Sequence, residues 1–411
     1  LAKTDETLLF TCVAAMGALA RIYLMQRRAP DLAVGWKLPA ILWTAMAAGV
    51  PLKGPLILMF VALTALTLSI ADRSGRWIWS LRPLAGLVWL IVLVLPWFVA
   101  IVIKSGGSFL AQSVGEDMLA KVIGGQESHG APPGYYFLLF WLTFWPGSIL
   151  AGAAAPSVWR ARHEPGARFL LAWLLPSWAV FEAVITKLPH YVLPLYPAIA
   201  ILIAGVVESG GLVTWRWLLR GTAGWFVFPA AVSIGVVVLF VVVGRDLGIV
   251  AWPFAAAATI FGLFAWWLYD VDGPERAVLR GMMASVFIAV TVYAITFPSL
   301  PALFPSALIA EELRGSGCAA PHVASTGYYE EPSLVFLLGT DTRFTDGAGA
   351  AEFLRSGPCH FALVDARSER SFVQRANAIG LRYAVSQRVD GYNISIGRPV
   401  MLTVFRSQEK P

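Results

Sequence analysis

The residues best suited to chemistry in this chain are lysines, tyrosines, a histidine and carboxylates that stand at the ends of apolar runs. Lys187, His190 and Tyr191 fall within Thr186-Lys187-Leu188-Pro189-His190-Tyr191-Val192-Leu193-Pro194-Leu195-Tyr196-Pro197. Lys53 sits between Pro51 and Pro55, and Asp5 and Glu6 precede the first apolar run. Lys121, Glu127, His129 and Tyr135 share one long polar stretch. A lysine ammonium is a point-charge partner for phosphate, and a carboxylate beside it suits proton abstraction from a hydroxyl. Prolines fix the backbone around both lysine turns. The residue types fit a phosphate carried on a lipid. Each also has an ordinary reading. Lysines at span ends snorkel to head groups, tyrosines form interfacial belts, and Asp5 and Glu6 suit a solvated chain start. Convergence on one side of a membrane is the argument for a site.

Other chemistries lack their residues. There is no Gly-x-x-x-x-Gly-Lys-Ser/Thr phosphate loop and no His-Glu-x-x-His zinc helix. Histidines stand scattered at 129, 163, 190, 322 and 360. A divalent metal would find only Glu127 and His129 as neighbouring ligands, too few for a site. A divalent metal is therefore only weakly supported, and no cofactor is assigned. Glu182 lies near the outer end of an apolar run, where a carboxylate either functions or pairs, here with Lys187. The runs at 223–244 and 281–297 hold no acidic residue, which disfavours a proton-coupled transporter.

The elements that position these residues follow from composition. Of 411 residues, 58% are hydrophobic and 14% charged, where soluble domains carry about 25% charge. A water-soluble globule has too little interior for such a chain, so a multi-spanning membrane protein is expected. Ten apolar runs lie near 7–26, 36–50, 55–71, 84–103, 135–157, 169–186, 192–207, 223–244, 249–269 and 281–297. One set of alternate loops holds thirteen basic residues, including Arg27, Arg28, Arg73, Arg76, Arg82 and Arg168; the other holds six. Positive residues favour the cytoplasm. Asp5, Lys53, Lys121, Glu127, Lys187, His190 and the chain's end then face outward. The net charge of +6 belongs to these orienting loops, so no nucleic-acid partner is expected. Residues 107–121 read as an amphipathic helix in the outer interface.

After about residue 305 no run is long enough to span. The expected domains are a membrane core over 1–304 and a small α/β domain over 305–411. Strands are predicted at 322–325, 361–364, 383–385 and 400–405, and helices near 331–338, 347–356 and 368–379. The stretches at Gly327-Tyr328, Glu331-Pro332-Ser333 and Gly391-Tyr392-Asn393 read as loops. An oxidising outer compartment favours a disulfide between Cys318 and Cys359.

The turn at 187–197 resembles the signature of bacterial membrane glycosyltransferases of the aminoarabinose transferase type, which are related to protein O-mannosyltransferases. Lys3-Thr4-Asp5, Lys53-Gly54-Pro55 and Gly125-Gln126-Glu127-Ser128-His129-Gly130-Ala131-Pro132-Pro133-Gly134-Tyr135 resemble further pieces of that family, in the same order. The resemblance implies an all-α polytopic bundle of the GT-C type. It implies a sugar donor on a polyprenyl phosphate and transfer at the periplasmic face of the inner membrane. The acceptor would be a lipid such as lipid A, a glycan or a protein, as in lipopolysaccharide modification. Lys53, Lys187 and Tyr191 would hold the donor phosphate, with Lys121 and His190 nearby; Asp5 would be the second acidic residue of the site. The family has more than these ten spans and a cytoplasmic start, so this sequence reads as the C-terminal part of a longer protein. Its main acidic residue would then precede Leu1. The chain departs from the family in carrying Glu116-Asp117 and then Lys121, where the aminoarabinose branch has Glu-His and then Arg. A lipid-linked sugar flippase is the alternative, and a polytopic structural subunit ranks third.

Overall fold

The computed structural model describes residues 4–30, 33–106, 131–212, 221, 223–327, 329–394 and 397–408. Two compact units divide the chain: Leu1–Val227 with Leu263–Met282, and Phe228–Gly262 with Met283–Pro411.

The first unit is helical. It contains α1 (Asp5–Arg28), α2 (Lys37–Lys53), α3 (Leu56–Ala71), α4 (Pro83–Ser105), α5 (Tyr135–Thr143), α6 (Gly147–Arg160), α7 (Pro165–Ala183) and α8 (Tyr196–Glu208). The apolar run at 135–157 is broken into α5 and α6 beside Pro146, which lacks an N–H and cannot continue the preceding turns. With 24 residues α1 is about 36 Å long, enough to cross a bilayer. Its inward face carries Leu8, Thr11, Cys12, Ala15, Leu19 and Ile22 at helical spacing. Leu8, Cys12, Ala15, Leu19 and Ile22 join Leu42, Phe60, Tyr136, Phe169, Phe181 and Leu195 in one core.

The second unit holds α9 (Phe228–Leu239), prolonged by a π-turn over Phe240–Gly244, and α10 (Trp252–Trp267). The helix α11 (Tyr269–Ala289), prolonged over Val290–Thr296, begins in the first unit and ends in the second. All ten apolar runs fall on helices. Among the described residues five helical stretches, Asp5–Arg28, Pro83–Ser105, Gly224–Gly244, Ile249–Trp267 and Tyr269–Thr296, are long and apolar enough to cross a membrane by length and composition. Only 11% of the apolar window of α4 is buried within the protein. In water, so large an unpartnered apolar surface would drive association; in lipid it is the ordinary condition of a span. The chain is a multi-pass membrane protein.

The second unit ends in a mixed sheet in the order β2-β1-β3-β5-β4. The strands are β1 (His322–Thr326), β2 (Arg343–Thr345), β3 (His360–Asp365), β4 (Tyr383–Asn393) and β5 (Arg398–Ser407). The first three run parallel, β1 opposing His322 to His360, and β5 pairs antiparallel with both β3 and β4. Helices α12 (Pro305–Gly315), α13 (Pro332–Leu338), α14 (Gly347–Arg355) and α15 (Glu369–Ala378) accompany it. The Asp346 carboxylate accepts from Gly349 N at 2.7 Å and caps α14. Cys318 and Cys359 are joined by a disulfide, with Cα atoms 5.8 Å apart. Two sequence readings change here. Gly391-Tyr392-Asn393 is the end of β4, not a loop: a Cβ at Gly391 would lie 2.6 Å from the Ala302 carbonyl oxygen, so this strand requires glycine. Glu331-Pro332-Ser333 opens α13, with Pro332 at its first position, where a missing N–H is harmless.

Candidate functional site

The site lies in the first unit, where the first turn of α1, the last residue of α2 and the turn between α7 and α8 meet. Asp5 and Glu6 occupy the N-terminal turn of α1, a favourable place for negative charge. Lys53 closes α2; the next residue, Gly54, has φ 62°, a left-handed conformation that lets the chain turn into Pro55 and α3. The helix α7 ends at Ala183, and the capping residue Val184 is extended. From there a chain of short turns runs into α8, with Tyr191 N donating to Leu188 O, Leu193 N to His190 O and Leu195 N to Val192 O.

These elements bring four residues together. Lys53 Nζ lies 2.9 Å from Asp5 Oδ1, and His190 Nε2 lies 3.7 Å from Asp5 Oδ2. Asp5 is 7% exposed, and Oδ2 accepts no hydrogen bond. Lys53 Nζ stands 5.5 Å from the centre of the Tyr191 ring, which meets the His190 ring edge-on at 5.2 Å. Aromatic contacts then lead from Tyr191 to Phe181 at 6.3 Å and on to Tyr136 at 6.2 Å. Beyond them Lys187 Nζ faces the Tyr136 ring at 6.0 Å. Lys187 is 4% exposed. Its ammonium donates to Glu182 O at 2.9 Å and to Val184 O. Among the described residues no carboxylate pairs with it. An ammonium has three donors, so one is left over.

Tyr135, named from the sequence, borders this array and touches Tyr136 at 5.2 Å. Lys121, Glu127, His129 and the amphipathic stretch at 107–121 lie outside the described residues. Among the described residues no group of three or more His, Cys, Asp or Glu side chains could hold a metal ion.

Two residues stand differently from the sequence reading. The Glu182 carboxylate does not pair with Lys187; it accepts from Gly134 N at 2.8 Å, Phe137 N at 3.1 Å and Trp178 Nε1 at 3.3 Å. Tyr136, fully buried, is not among the residues that the sequence points to. Its signal was helix phase: Tyr136 and Phe140 are the buried positions of α5, four residues apart. A cavity of about 440 Å³ opens among α5, α6, α7 and α8, lined by Phe137, Phe140, Trp141, Trp178, Leu174 and Ile203 among others, and is almost wholly apolar.

No protein-family profile matches the chain. The undecaprenyl phosphate-alpha-4-amino-4-deoxy-L-arabinose arabinosyl transferase of Edwardsiella ictaluri is 31% identical over 175 residues, which cover 41% of this chain and 30% of that protein. The transferase of the same name from Pseudomonas paraeruginosa is 30% identical over 169 residues, with the same coverage. The chain thus matches less than a third of the length of these relatives. Among solved structures, ArnT from Cupriavidus metallidurans in the apo state aligns with a TM-score of 0.65 at 16% identity, over 98% of this chain and 74% of that one. ArnT bound to undecaprenyl phosphate aligns at 0.64 and 18% identity, over 97% and 74%. This likeness shows the fold: a polytopic helical bundle with a small C-terminal α/β domain.

Proposed function

We propose that the chain carries the donor-phosphate site of an inverting glycosyltransferase that moves a sugar from a polyprenyl phosphate to an acceptor at the periplasmic face. The observation that carries this reading is the pair of lysines flanking one aromatic array. Lys53 stands against Asp5 and Tyr191, and the buried Lys187 has no carboxylate partner among the described residues. The names of the curated relatives and the undecaprenyl phosphate in the ArnT structure agree with this ligand class.

In this reading Lys53 and Lys187 neutralise the phosphate, with Tyr191 and His190 beside it. Charge developing on the departing polyprenyl phosphate is met by ammonium groups already in place, the form of catalysis in which preorganised dipoles and charges contribute most. The acceptor oxygen attacks the anomeric carbon from the face opposite the phosphate, the new C–O bond forming as the bond to the phosphate oxygen breaks. The configuration inverts. A hydroxyl acceptor gives its proton to a carboxylate, and Asp5 Oδ2 has the capacity to take it. A phosphate acceptor needs no base. The apolar cavity suits the prenyl chain. Acceptors are a lipid such as lipid A, a glycan or a protein. Residues 1–304 form the catalytic membrane core, and 305–411 an accessory domain on the periplasmic side of the inner membrane.

The test is transfer by the full-length protein in proteoliposomes, with a panel of polyprenyl-phosphate sugars carrying isotope label. Labelled product, lost on Lys53→Ala or Lys187→Ala, is the expected result. Translocation of the donor across the vesicle membrane without product contradicts transfer and favours a flippase.

A further inference from the structure

We infer that Glu182 is a positioning residue that sets Lys187 by capping the neighbouring helix. The proposal rests on the reading that Lys187 holds the donor phosphate.

The first N–H groups of any α-helix have no partner within the helix. In α5 two such donors, Gly134 N and Phe137 N, are met by one carboxylate supplied from another helix. Gly134 is the residue before the helix and Phe137 its third residue. These are the positions that a capping box satisfies within a single chain segment. Here Glu182 does both from the last turn of α7, and Trp178 Nε1 holds the same oxygen as Phe137. The negative charge also meets the positive end of the α5 dipole. A second tie runs alongside, Ala131 N donating to Ile185 O at 3.4 Å.

The far end of the same residue closes a circuit. Carbonyls at a helix C-terminus are as orphaned as N–H groups at the start. The Glu182 carbonyl, in the last turn of α7, is capped by Lys187 Nζ. That ammonium faces the ring of Tyr136, the second residue of α5. The path therefore runs from the Glu182 carboxylate to the start of α5, through Tyr136 to Lys187, and back to the Glu182 carbonyl. A carboxylate so near a lysine reads from sequence as its ion-pair partner. Spending the charge on backbone N–H groups instead leaves the Lys187 charge without a carboxylate while still holding its position.

The test uses the full-length protein in nanodiscs, with three readouts on Glu182→Ala and Glu182→Gln. Amide exchange at Gly134 and Phe137 rises about tenfold or more in Glu182→Ala, the low end for losing hydrogen bonds to a charged group. In Glu182→Gln one oxygen still serves Phe137 and Trp178, so exchange rises at Gly134 and stays near wild type at Phe137. Labelling of Lys187 by an amine-reactive reagent, read by mass spectrometry, accelerates in Glu182→Ala and is largely rescued in Glu182→Gln. Affinity for undecaprenyl phosphate falls in the same order, while amides in the middle of α1 stay protected. Unchanged exchange at both amides, or unchanged Lys187 labelling, overturns the proposal. Altered exchange and labelling in a protein whose wild type does not bind undecaprenyl phosphate leaves the positioning role standing and refutes the phosphate reading.

Discussion

The two ends of α1 each hold a carboxylate among cations, and they are built differently. At one end the Asp72 side chain, 4% exposed, accepts from Tyr23 Oη at 2.8 Å and from Arg168, with Arg27 at 3.5 Å. These partners come from α1 and α7, while Asp72 follows α3. At the other end Asp5 has Lys53 on one oxygen and, on the other, His190 at 3.7 Å with no hydrogen bond. A saturated carboxylate ties helices together. An undersaturated one, set beside a lysine, has capacity left for a ligand. Charge type alone does not separate the two; the number of partners does.

The largest expected effect breaks the saturated end. Asp72→Ala removes the acceptor of both Tyr23 and Arg168 at a partly buried site, and each lost hydrogen bond to a charged group costs about 1.5–3 kcal/mol. Thermal unfolding in detergent should show a large fall in Tm. A shift under about 1 kcal/mol would mean that Asp72 is no staple.

Next comes the open end. Lys187→Ala is expected to lower transfer about 10²–10³-fold, the range for losing one preorganised partner of developing charge. Steady-state kinetics with a polyprenyl-phosphate sugar, alongside Tm, check this. Equal loss of Tm and of turnover would make Lys187 structural.

Asp5→Asn sharpens the contrast from the other side. The Lys53–Asp5 pair is partly exposed, Lys53 by 24%. Its loss should cost about 1 kcal/mol of stability or less, far below Asp72→Ala, while transfer to a hydroxyl acceptor falls steeply.

The smallest effect lies in the C-terminal sheet. Burial first, then the neighbouring His322 on β1 and Arg343 on β2, hold the His360 imidazole below its ordinary pKa of 6.5. The folded form therefore binds its proton later than the unfolded chain. Stability is full above about pH 6.5 and declines as pH falls from there through the folded value. His360→Phe should flatten this slope in thermal melts between pH 5 and 7. An unchanged slope would assign it to other groups.

Much of this was legible in the residues. Ten apolar runs landed on helices because span length and hydropathy are set by the bilayer, whatever the packing. Asp5, Lys53, His190 and Tyr191 were readable as a group because loop charge sorted them onto one side. What escaped was relational. Glu182 reads as an ion-pair partner five residues from Lys187, and only the approach of α5 shows that its carboxylate serves Gly134 and Phe137. Strand β2 is three residues long, too short for alternation to register, and exists by pairing with β1. The extension of β4 to Asn393 depends on Gly391 passing the Ala302 carbonyl, a contact invisible to local pattern.

In the proposed reading the undersaturated end of α1 grips a lipid phosphate. The direct measurement is binding of undecaprenyl phosphate to the full-length protein in nanodiscs, comparing wild type with Lys53→Ala, Lys187→Ala and, as a control at the opposite end, Arg27→Ala. Saturable binding should weaken about tenfold or more in each lysine variant, the factor set by about 1.4 kcal/mol per lost charge contact, and stay at the wild-type level in Arg27→Ala. Wild-type affinity in both lysine variants would contradict it.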